Sequence, residues 1–131
     1  MRFALSVAAL MAAAPAGALA DCNHPEALRP GDSTAASGAG GAVECYQVAL
    51  QAGEPVSIAI DSPRNDVVFA VFAPGWRTSC DAAGDCDVAG DQLGDDAVTR
   101  WADTAPATGS YLIVIDTSRS DADYRLSVEL R

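Results

Sequence analysis

Apolar and polar residues alternate most regularly at the C-terminal end of the chain. Over Asp123–Leu130, Tyr124, Leu126, Val128 and Leu130 fall on one side and Asp123, Arg125, Ser127 and Glu129 on the other. A period of two is that of a strand with one dry and one wet face. Residues 111–115 before it are tyrosine, leucine, isoleucine and valine, and residues 116–122 are polar and turn-prone. The pattern predicts two adjacent antiparallel strands joined by that turn. The rest of the chain must then supply a second layer for their apolar side chains.

Residues 44–50 supply part of it, with Tyr46, Val48 and Leu50 alternating against Cys45, Gln47 and Ala49. After turn chemistry at 51–55, Val56, Ile58 and Ile60 share one side of a second strand. Val67–Phe72 is apolar on both sides, which predicts an interior strand covered from two directions. Residues 98–102 predict a short strand carrying Trp101. Residues 23–43, with His24-Pro25, Arg29-Pro30-Gly31-Asp32 and a glycine-rich run after Ser37, read as loop. Residues 76–97 show neither period, carry six aspartates and read as a long loop. Trp76 and Trp101 have two readings, an aromatic binding face or caps on the core. Strands every eight to twelve residues with turns between them predict an all-β sandwich or barrel.

The first twenty residues stand apart. Arg2, an apolar stretch from Leu5, the helix breakers Pro15 and Gly17, and Ala18-Leu19-Ala20 follow the order of a secretory signal peptide. The stretch is too short and too interrupted to span a bilayer. A periplasmic or secreted location is therefore expected. With residues 1–20 removed, 111 residues remain, enough for one core. They hold seven arginines, no lysine and eighteen acids, a formal charge of −11. Such a chain repels nucleic acid and anionic lipid, so neither nucleic-acid binding nor membrane insertion is expected. A basic partner would be attracted; the plainer reading is that the acidity keeps an exported protein soluble.

Cys22, Cys45, Cys80 and Cys86 all follow that signal, and an even number in an exported domain reads as disulfides. Of three possible pairings, Cys22–Cys45 and Cys80–Cys86 each close locally and are expected. Chain-entropy arguments give roughly 3.5 kcal/mol for the longer loop and roughly 2.4 for the shorter. A four-thiolate zinc site is the rival, but no C-x-x-C pair is present. Catalysis lacks a base with a partner: His24 is the sole histidine, beside Pro25. The pairs Asp85 with Asp87 and Asp95 with Asp96 have little apolar sequence around them to raise a pKa. Calcium is a better use of Asp81, Asp85, Asp87 and Asp91, although the spacing of a twelve-residue calcium loop is missing and a solvated acidic loop is the alternative. No cofactor and no enzymatic activity are expected.

The stretches Y46-x-V-x-L50-x-A-G53-E-P-V56-x-I-x-I60, the pair N65-D66 before an apolar strand ending A73-P74-G75, A107-T108-G109-S110-Y111-L-I-V, and Y124-x-L-x-V128 form a further pattern. Together they resemble a bacterial pre-peptidase C-terminal domain. The resemblance covers residues 44–131 and implies an antiparallel β-sandwich of jelly-roll type; the expected Cys22–Cys45 bridge, which is not part of that pattern, makes residues 21–43 a disulfide-tethered segment before it. Among free-standing members it is the periplasmic inhibitors of g-type lysozyme that the chain is similar to. Residues 29–38, from Arg29 to a Ser-Gly pair, resemble the approach to their first strand, and residues 114–122, V-I-D-T-S-R-S-D-A, resemble the arginine-bearing loop that enters the lysozyme cleft. The resemblance implies that Arg119, between Ser118 and Asp121, contacts the partner, and the acidity of the chain suits a basic lysozyme in that place. Gly40 to Val43 offers no ring where those inhibitors carry an aromatic, and Asp123 stands near the place of a second arginine. The function expected is a non-catalytic protein-binding module; the alternative is a structural or accessory envelope domain that binds polysaccharide or calcium.

Overall fold

A computed structural model describes residues 22–37, 43–64, 66–82, 86–117 and 123–131. Residues 1–20, read as the export signal, lie outside the described residues. Among the described residues the chain forms strands and no helix. They are β1 (Glu26–Leu28), β2 (Ser33–Ser37), β3 (Val43–Leu50), β4 (Pro55–Asp61), β5 (Val67–Phe72), β6 (Arg77–Cys80), β7 (Cys86–Ala89), β8 (Gln92–Val98), β9 (Arg100–Thr104), β10 (Gly109–Thr117) and β11 (Asp123–Leu130).

Two sheets form the layers of a sandwich. One has the order β1-β3-β10-β5-β8 and the other β9-β4-β11-β2. Pairing is antiparallel except for β1, which runs parallel to β3. From β2 to β5 the chain changes sheet at every connection, and again from β8 through β9 and β10 to β11. That winding is the jelly-roll type. The alternating side chains meet between the layers. Tyr46, Val48 and Leu50, Val67, Phe69 and Val71, and Tyr111, Ile113 and Ile115 face Val56, Ile58 and Ile60 and Tyr124, Leu126 and Val128. Phe69, Ile58, Ile113 and Leu126 are fully buried, a burial worth roughly 1.5–3 kcal/mol for each large aliphatic or aromatic side chain.

The two strands at the C-terminal end do not pair with each other. β10 lies between β3 and β5, whereas β11 lies between β4 and β2 in the opposite layer. Alternation states which side of a strand is dry, and both strands obey it. It does not state which neighbour takes the backbone hydrogen bonds. Their dry faces meet across the core instead of lying side by side.

Two stretches read as loop contain strands. Residues 23–43 supply β1 and β2, one to each sheet, and residues 76–97 supply the β6–β7 hairpin and most of β8. Val67–Phe72 is interior in its sheet, as expected, with Val67, Phe69 and Val71 buried and Val68, Ala70 and Phe72 half-buried. Both locally closing disulfides are present, Cys22–Cys45 and Cys80–Cys86.

At the far end of the sandwich the approach to β10 is tied tightly. Gly53 N donates to Ala105 O at 2.9 Å and Ala105 N to Glu54 O at 2.8 Å. Tyr111 Oη donates to Ala107 O at 2.5 Å and accepts from Ala107 N at 3.0 Å. Gly109 has φ +152°, and a Cβ there would lie 2.8 Å from Pro74 Cβ. The first position of β10 therefore requires glycine for both backbone and space. Gly109→Ala is expected to destabilise the fold by about 1–3 kcal/mol, since neither the proline ring nor the strand start can give way freely. Chemical denaturation checks this; an unchanged midpoint refutes it.

Candidate partner-binding end of the sandwich

Three inter-sheet connections leave from one end. Residues 38–42 join β2 to β3, residues 62–66 join β4 to β5, and residues 118–122 join β10 to β11. The register fixes their bases. Asp116 opposes Val43 and Val68, Thr117 opposes Val67, Asp123 opposes Ser37, and Arg125 opposes Asp61. Asp61, Asp116 and Asp123 are exposed, so acids rim this end. Arg125 Nη1 donates to Ser33 Oγ at 3.3 Å along the outer face of the same sheet.

Arg119, Ser118 and Asp121 lie outside the described residues, but both anchors of their loop are placed, one in each layer. The expected calcium ligands stand elsewhere. Asp81 follows β6, Asp87 lies on β7 and Asp91 on the turn into β8, all exposed, while Asp85 lies outside the described residues. Among the described residues no three His, Cys, Asp or Glu side chains gather as a metal site. His24 is exposed near the N-terminal end. Trp76 and Trp101 do not form one face: Trp101 packs on the core between the sheets, and Trp76 lies on the outer side of the five-stranded sheet.

Beneath the rim is a polar group that sequence reasoning passed over. Glu44, 1 % exposed, points into the sandwich beside Tyr46 and Tyr124. Tyr46 Oη and Tyr124 Oη are 2.9 Å apart, and Tyr124 Oη donates to Glu44 Oε1. Tyr46 and Glu44 belong to one layer and Tyr124 to the other, so the chain of hydroxyls clasps the two sheets where the loops begin. Glu44 Oε2 is buried and finds no hydrogen-bond partner among the described residues. The signal was available in the alternation: Glu44 has the parity of Tyr46, Val48 and Leu50.

Burial sets the electrostatics of the clasp. Removal from water raises the Glu44 pKa above its ordinary value of 4.5, and the bond from Tyr124 lowers it only in part. Burial likewise raises both phenols, whose ionisation the neighbouring carboxylate further opposes. A carboxyl whose folded-state pKa is raised stabilises the fold in acid and loses that contribution as the pH climbs through the folded-state value. Glu44→Gln is accordingly expected to melt above the native protein at neutral pH, with the difference shrinking as the pH falls toward 4.5 and levelling off below it. Tyr124→Phe leaves buried oxygens without their donor and is expected to cost about 1–3 kcal/mol. Thermal melts of both variants across pH test this; a Glu44→Gln difference independent of pH contradicts it.

No protein-family model and no curated protein matches the chain at the level of sequence. Solved structures do match in shape. A pre-peptidase C-terminal domain of a Bacillus anthracis collagenase superposes with a TM-score of 0.55 at 12 % identity, over 81 % of this chain and 95 % of that one. A periplasmic inhibitor of g-type lysozyme from Aeromonas hydrophila gives a TM-score of 0.49 at 20 % identity, over 82 % and 99 % of the two chains. The corresponding inhibitor from Salmonella Typhimurium gives 0.46 at 17 %, over 81 % and 98 %. At these identities the likeness is one of fold, an all-β sandwich that this chain shares with the collagenase domain.

Proposed function

We propose that this chain is a periplasmic or secreted protein-binding module without chemistry of its own, and that it inhibits a lysozyme by placing the 118–122 loop in the substrate cleft. The observation that carries the reading is the convergence of three inter-sheet connections, 118–122 among them, on one acid-rimmed end. The two anchors of the loop belong to different sheets tied by the Tyr46–Tyr124 contact. A loop held at both ends by a stiff scaffold loses little freedom when it binds.

Charge supports the same reading. A chain of −11 after removal of residues 1–20 draws a basic partner by long-range attraction and speeds encounter. Within that field Arg119 supplies a local cation. A planar guanidinium grips a carboxylate through two parallel bonds, as an acid-lined cleft would demand. Blocking is steric, with the loop filling the groove and the acid rim meeting basic residues around it. Ser118 and Asp121, beside Arg119 in the sequence, would contact the same partner.

The test is cell-wall lysis by g-type and other lysozymes in the presence of the protein, at low and high salt. Inhibition of at least one lysozyme is expected, weaker at high salt because exposed charges are screened beyond about 8–10 Å. Arg119→Ala should weaken inhibition about tenfold or more while leaving the melting temperature unchanged, since a surface arginine contributes under about 1 kcal/mol to folding. Undiminished lysis by every lysozyme tried ends the proposal.

A further inference from the structure

The β6–β7 hairpin stands outside both layers. Among the described residues its ladder pairs β6 with β7 and with no strand of either large sheet. It lies over the outer face of the five-stranded sheet, where Leu112, Cys22 and Cys45 are buried and Phe72, beside Leu112 on the same sheet, packs with them against Trp76, Cys80, Cys86 and Val88. Its base is fastened by Trp76 Nε1, which donates to Ser110 O at 2.9 Å, and by Ala73 N, which donates to Asp91 O at 2.9 Å. Beyond the base the covering contact is made largely by the Cys80–Cys86 bridge itself and by Val88. Of the remaining strand positions, Arg77, Thr78, Ser79 and Asp87 are polar and Ala89 is small and exposed. A two-stranded hairpin of four-residue strands is marginal by itself in water.

The two disulfides flanking this cluster differ in access. Cys22 and Cys45 are 1 % and 0 % exposed, whereas Cys80 and Cys86 are half-buried. Thiol–disulfide exchange requires a thiolate to reach a sulfur along the bond, so access sets which bridge reacts first. Cys80 and Cys86 oppose each other directly in the ladder, so this bridge closes the free end of the hairpin.

From these observations we infer that the hairpin is a flap locked by the Cys80–Cys86 bridge, and that a dithiol reductant releases it selectively while the sandwich stays folded. One thiolate of the reductant attacks Cys80 or Cys86 Sγ, breaking the bridge and forming a mixed disulfide. The reductant's second thiolate then displaces that cysteine. The reductant leaves as its own disulfide, and two electrons and two protons end on Cys80 and Cys86 as thiols. Release breaks no ladder of the five-stranded sheet. It uncovers an apolar strip of Leu112 and Phe72 on the face away from the core.

Graded dithiothreitol followed by alkylation and mass mapping reads the order of reduction, and amide hydrogen exchange reads the opening. Cys80 and Cys86 are expected to become alkylated about ten times faster than Cys22 and Cys45. At that stage the amides of β6 and β7 lose protection, while those of β3, β5 and β10 keep theirs. The paired variant Cys80→Ser with Cys86→Ser should show the same exchange pattern without reductant. Simultaneous reduction of both bridges, earlier reduction of Cys22–Cys45, or full flap protection in the serine variant each overturns the inference.

Discussion

Everything in this molecule depends on two sheets burying one alternation against another. β10 and β11 supply the middle of each layer, and their apolar residues have no other place to leave water. Roughly 25 cal/mol per Å² of apolar surface makes that removal the dominant favourable contribution. It fixes register as well, because a slip of one residue would turn Ile113 and Leu126 outward and bring Leu112 and Arg125 in. Leu112 escapes that constraint in one respect: it is buried on the outer face, beneath a separate small cluster. The five-stranded sheet is thus dry on both sides at β10, and the four-stranded sheet on one.

The polar clasp sits where that packing ends. A buried carboxyl is costly unless its oxygens are satisfied, and Glu44 has one oxygen bonded and one not. Such an arrangement weakens the fold at neutral pH, yet it joins the layers where the loops depart. A purely apolar end would stabilise more and orient less, since dispersion has no direction. The hydroxyl of Tyr124 has one place to point. This gives the 118–122 and 38–42 connections a common footing across the sandwich.

How much of this was legible in the sequence follows from what alternation encodes. β3, β4 and β11 are each dry on one face, and each can be read directly from residues 44–50, 56–60 and 124–130. β6 and β2 cannot: Arg77-Thr-Ser-Cys buries little, and Ser33-Thr-Ala-Ala-Ser carries no large apolar residue. Their strand geometry comes from their partners, for β6 the adjacent β7 closed by a covalent bridge, for β2 the backbone of the distant β11. The partnership of β10 with β3 and β5 was equally hidden, because a short polar turn serves a hairpin or a change of layer alike. At the candidate site the inward parity of Glu44 was visible, and its meeting with Tyr124, eighty residues on, was not.

The three-residue β1 has a consequence out of proportion to its length. It runs beside the eight-residue β3, held there by the Cys22–Cys45 bridge and by Gln47 Nε2, which donates to Pro25 O at 3.1 Å. Without it, β3 would become the rim of its sheet, a long row of unpaired amides and carbonyls open to another chain. A protein shortened to begin at Val43 would carry that template for self-association, whatever it still bound at its other end.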